Sequence, residues 1–196
     1  MRLLPVEHKP RNIAMGNGFR DVATALKDES DRGTVVLAAA WLDESLTNII
    51  KKLFKPSNQE ELLASGKALG DFGTKIMLAE RLKLINPALV RSLNICRKLR
   101  NEFAHLSSEL TFATPSVKDR VEILFSINEP ILSAMGEVLR DAGLSIPELE
   151  GGEISAKVMH QAFGTKLLFQ YTCGCINSGL AAIEFDTQEI APSFFD

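Results

Sequence analysis

Apolar residues recur at helical spacing along most of the chain. The clearest run covers residues 31–54, where Val35, Ala38, Leu42, Leu46, Ile49, Ile50 and Leu53 step by threes and fours. Asp31 is placed to cap this helix, and Lys55-Pro56 to end it. Ala38, Ala39 and Ala40 would let a neighbouring helix come close, while Asp43, Glu44 and Asn48 interrupt the apolar surface. Before this run, Pro5, Pro10 and Gly16 predict an irregular lead-in over residues 1–16. Asn17 then caps a helix to about Glu29, with Phe19, Val22, Ala23 and Leu26 on one face. After it, Asn58-Gln59-Glu60-Glu61 has the form of a capping box opening a short helix to Ala64, and Ser65-Gly66 turns the chain.

The middle of the chain is punctuated by caps. Asp71 begins a helix that the spacing carries to about Ile85. Asn86-Pro87 reads as an N-cap followed by a first-turn proline. From there Leu89, Leu93, Cys96, Leu99, Phe103 and Leu106 form one apolar stripe. Thr114-Pro115 starts a further helix that should kink or split at Pro130 and stop near Gly143. Residues 147–152 read as a polar linker. In the tail, Ile154, Val158, Phe163, Leu167 and Leu168 allow a helix, but Gly164, Gly174 and Gly179 weaken it. Residues 169–173 alternate like a strand, but the tail is expected to be helical, with an irregular end from Ala191 to Phe195. The organisation expected is an all-α bundle over residues 17–146, with 147–196 as a C-terminal extension packed on it. The helices beginning at Gly33 and Pro87 should lie at its centre.

Composition narrows the function classes. Apolar residues make up 45% of the 196, enough for a large core, so disorder is not expected. The net charge of −3 argues against direct binding along duplex DNA, which needs many phosphate contacts. No run approaches the roughly 18 apolar residues of a membrane span. Cys96, Cys173 and Cys175 form no paired C-x-x-C framework, and His8 and His160 are isolated, so neither a metal nor a cofactor is expected. An odd cysteine count without a signal-peptide pattern points to a reducing cytoplasm.

One stretch concentrates chemistry: Arg100-Asn101-Glu102-Phe103-Ala104-His105. A guanidinium steadies developing negative charge, and an imidazole moves protons near neutral pH. Phosphate chemistry needs both. Counting 100° per residue, Asn101 and His105 are roughly 40° apart on the helix, whereas Arg100 and His105 are roughly 140° apart. They can converge only if the helix ends near His105 or if two chains pair. Simpler roles compete with chemistry at each position. Arg100 borders the apolar stripe and can bond helix carbonyls. Asp71 can serve only as a cap. Glu102, four residues after Lys98, can form a surface pair of little energetic weight.

The arrangement Arg-Asn-x-x-x-His resembles the signature of the HEPN superfamily (higher eukaryotes and prokaryotes nucleotide-binding). Leu69-Gly70-Asp71-Phe72-Gly73-Thr74-Lys75-Ile76 and Arg81 to Ile85, followed by Arg100 to His105, are similar to the mannitol operon repressor family. The resemblance covers about residues 34–142. It implies a HEPN-like helical bundle, a homodimer with a cleft between copies, and one of two activities. The first is negative regulation of a sugar-alcohol uptake operon through a regulatory protein partner. The second is metal-independent RNA cleavage, with Arg100, Asn101 and His105 as catalytic candidates. Asp71, Arg97 and Glu102 are the accompanying binding candidates.

Overall fold

A computed structural model of the chain describes residues 8–55, 62–105, 109–141 and 156–189. Every regular element among them is an α-helix: α1 (His8–Leu26), α2 (Asp31–Lys51), α3 (Phe72–Arg81), α4 (Pro87–Ala104), α5 (Pro115–Asp141) and α6 (Ala156–Asp186). No helix of the described residues is long and apolar enough to cross a membrane. The proposed capping box at Asn58, the polar linker and the end of the chain from Ala191 lie outside the described residues.

Several caps form as the sequence predicts. The Asn86 side chain accepts from the Leu89 N–H at 2.9 Å, with Pro87 opening α4. The Asp71 carboxylate accepts from the Thr74 N–H at 3.1 Å at the start of α3. Each satisfies one of the donors that a helix start leaves without a partner. In α2 the cap is Ser30 rather than Asp31: its hydroxyl accepts from Gly33 N–H at 3.0 Å. The Asp31 carboxylate accepts instead from the Phe112 N–H at 3.0 Å.

Three expectations are corrected. Residues 8–16 are helical, not irregular. Pro10 falls in the first turn of α1, where a missing N–H costs nothing. Helix α3 stops at Arg81, short of Ile85, because Lys83 turns left-handed with φ 57°. Its N–H bonds Glu80 O, and the Leu84 N–H bonds Ala79 O, closing a Schellman turn on a lysine where glycine is usual. Lys83 is exposed, so Lys83→Gly is expected to stabilise the protein by about 1 kcal/mol, read as a rise in the urea midpoint. Third, of the kink or split expected at Pro130, the split does not occur: α5 runs on to Asp141. Ser126 and Pro130 are both exposed, so water can take the Ser126 carbonyl that loses its donor.

The C-terminal segment, expected as an extension packed on the bundle, forms α6, which packs against α1, α2 and α5 and contributes heavily to the core. Leu168, Phe169, Cys173, Cys175, Ile176 and Leu180 are all fully buried. Gly174 permits this, since a Cβ there would stand 2.8 Å from the Phe19 ring on α1. Gly164, at φ 75° and ψ 171°, supplies the single non-helical residue within α6. Buried polar groups pin the layers together. Asn177 donates to Gly18 O at 2.8 Å and accepts from the Ser45 hydroxyl at 2.6 Å, joining α6 to α1 and α2. Gln170 donates to Leu26 O at 2.6 Å. Helix α2 also meets α3 and α4, and α4 meets α5, so one side of the bundle is built from α2, α3 and α4.

Candidate functional site

Helix α4 is two-faced. Leu89, Leu93, Cys96, Leu99 and Phe103 are buried, as their spacing requires. Arg97, Arg100 and Asn101, at i, i+3 and i+4, share another stripe of the same helix. That stripe forms one wall of a groove of about 650 Å³. The facing wall is α2, including Asp43, Glu44 and Lys51, and the remaining side runs from Leu63 through Lys67 and Asp71 to Lys75.

An ion pair crosses the groove. Lys75 Nζ lies 2.9 Å from Asp43 Oδ1, with the lysine side chain only 6% exposed, and it joins α3 to α2. A buried ammonium needs such a partner. The two arginines are held differently. Arg97 donates to the Asn94 amide oxygen through Nε and Nη2, both at 3.3 Å. Arg100 Nη1 donates to the Asn101 amide oxygen at 3.1 Å. An amide oxygen orients a guanidinium without neutralising it.

The candidates therefore separate into three places. Asp71, Arg97, Arg100 and Asn101 come together around the groove, with Asp71 also capping α3. Glu102 lies elsewhere. Its carboxylate takes both guanidinium nitrogens of Arg120 on α5, at 2.6 and 2.7 Å, in place of the expected pair with Lys98. A bidentate fork fits a carboxylate better than an ammonium does. This makes Glu102 a brace between α4 and α5.

The hydrogen bonds from Arg120 hold the Glu102 carboxyl below its ordinary value of 4.5, against a smaller opposing effect of burial. A lowered folded-state value adds stability that is complete above the ordinary value and fades as pH falls through the folded one. The side chain is 44% exposed, so solvent screens the pair. Glu102→Gln is expected to lose less than about 1 kcal/mol at neutral pH. The urea midpoints of variant and wild type should converge as the pH falls below the ordinary carboxyl range.

His105 occupies the third place. It ends α4 with extended backbone angles (φ −67°, ψ 123°), and its carbonyl accepts from Arg32 Nη2 at 3.1 Å. The residue is exposed and does not line the groove. The helix does end at His105, and of the two residues only Arg100 lines the groove.

Sequence reasoning missed Asp43 and Lys75 as parts of the groove. A signal existed: Asp43 and Glu44 break the apolar run of α2, and such interruptions mark where a helix meets something polar. The three cysteines are free and buried. Burial and the neighbouring Cys96 push the Cys173 thiol well up, and burial does the same for Cys175. Both are thus kept protonated and poor nucleophiles. Among the described residues no cluster of His, Cys, Asp and Glu is arranged to hold a metal ion. Comparison with known proteins finds no matching family model, curated protein or solved structure.

Proposed function

We propose that this chain is a non-catalytic regulatory protein. It acts as a negative regulator of transcription, as the resemblance to the mannitol operon repressor family implies. It works through a protein partner rather than by reading DNA. One observation carries the choice against an enzyme: Arg100 faces the groove and bonds Asn101, while exposed His105 stands outside the groove lining. Phosphodiester cleavage needs the proton-transfer group and the charge clamp at one phosphate. The net charge of −3 favours a protein partner over duplex DNA.

Deleting the gene should raise transcription of a sugar-alcohol uptake operon, and the purified chain alone should leave operator DNA unshifted. Specific binding of operator DNA by the pure protein, with steep salt dependence, overturns the partner-mediated reading. The second reading is a metal-independent endoribonuclease assembled from two copies. Arg100, Asn101 and His105 are all exposed, which leaves them available to a homodimer that sets Arg100 of one copy against His105 of the other.

A further inference from the structure

The groove between α2, α3 and α4 has a built charge pattern that the regulatory reading does not use. Its lining holds five cationic side chains, Lys51, Lys67, Lys75, Arg97 and Arg100, against three carboxylates, in a chain whose net charge is negative. One of those carboxylates, Asp43, is paired with Lys75, while Asp71 accepts from the Thr74 N–H and keeps its charge. The two guanidiniums are engaged only by amide oxygens, so they keep their full charge toward the groove. They stand three residues apart on one helix, so both can reach one ligand.

From this we infer that the groove is a binding site for a small phosphate monoester, with Arg97 and Arg100 as the anion clamp. A carboxylate fills one guanidinium fork. A phosphate group offers three acceptor oxygens and up to two charges, enough for both. The volume of about 650 Å³ lies within the range of roughly 300–1,000 Å³ typical of small-molecule sites. Glu44 and Asp71 on the same lining repel a polyanion, which favours a single phosphate group over an RNA strand. The part-buried Lys75–Asp43 pair joins α3 to α2 and so sets the spacing of the walls. This inference is independent of the regulatory reading, which the operon experiment tests separately.

The test is calorimetric titration of the full-length protein with inorganic phosphate, against chloride at matched ionic strength. Saturable binding of one phosphate per chain is expected, weakened at least about tenfold by Arg97→Gln and by Arg100→Gln. Arg91→Gln, an exposed position on α4 outside the groove, should leave it unchanged. Amide chemical shifts of the wild type should move over residues 62–75 and 97–101, a readout that needs no variant. No saturable binding, equal loss in Arg91→Gln, or shifts confined to other regions would overturn the site. Binding of a single-stranded oligonucleotide that phosphate fails to displace would overturn the ligand class in favour of nucleic acid.

Discussion

A chain ending at residue 146 is expected to lose cooperative unfolding altogether. Removing α6 takes Leu168, Phe169, Ile176 and Leu180 out of the core, each fully buried. At about 1.5–3 kcal/mol per large apolar side chain, these four alone approach the roughly 5–15 kcal/mol of a whole domain. The loss goes further, because Phe19, Val22 and Leu26 belong to the same core, on α1, the helix most extensively packed against α6. The Leu26 and Gly18 carbonyls also lose their Gln170 and Asn177 donors. The truncated chain should bind a hydrophobic dye and melt without a sharp transition. A sharp melt would mean that residues 1–146 fold alone and that α6 is an appendage after all.

The second large effect sits inside the motif itself. Phe103→Ala is expected to cost about 3–5 kcal/mol, measured as a shift of the urea midpoint. Phe103 is 1% exposed, and its ring centroid lies 6.0 Å from that of Phe112, which lies 5.4 Å from Phe169. This chain of rings ties α4 to α6 through the segment before α5. Arg100→Ala, three residues away on the exposed side, should change stability by no more than about 0.5 kcal/mol. The contrast separates what the stretch Arg100 to His105 does for the fold from what it offers a ligand. Comparable losses in both variants would show that the guanidinium also holds the fold together.

Helices α2, α4 and α5 were legible because each is apolar on one face and marked at its ends, as at Asn86-Pro87. Helix α6 was expected as a helix but was less sharply marked, for the opposite reason. Over residues 168–182 it is buried on nearly all sides, so no apolar stripe stands out from a polar one. Within residues 169–173, Gln170 and Thr172 alternate with apolar residues and are buried too, their side chains bonding Leu26 O and Leu168 O, which gave the local pattern its strand-like look. At the site, the angular count already separated Arg100 from His105, and the groove takes the one and leaves the other. The partners of the motif residues lie far off in sequence. Glu102 finds Arg120 eighteen positions on, and the wall opposite Arg100 comes from Asp43 and its neighbours on α2. Such pairings depend on how helices cross, which spacing along one helix does not specify.

On the proposed regulatory reading, the arginine and histidine of this motif form no nuclease centre. The direct measurement incubates the pure full-length protein with RNA in the presence of a chelator, beside Arg100→Ala and His105→Ala variants of unchanged fold. RNA left intact by all three is the predicted result. Cleavage by the wild type that disappears in both variants would contradict it and put the two groups at one phosphate, across a pair of chains.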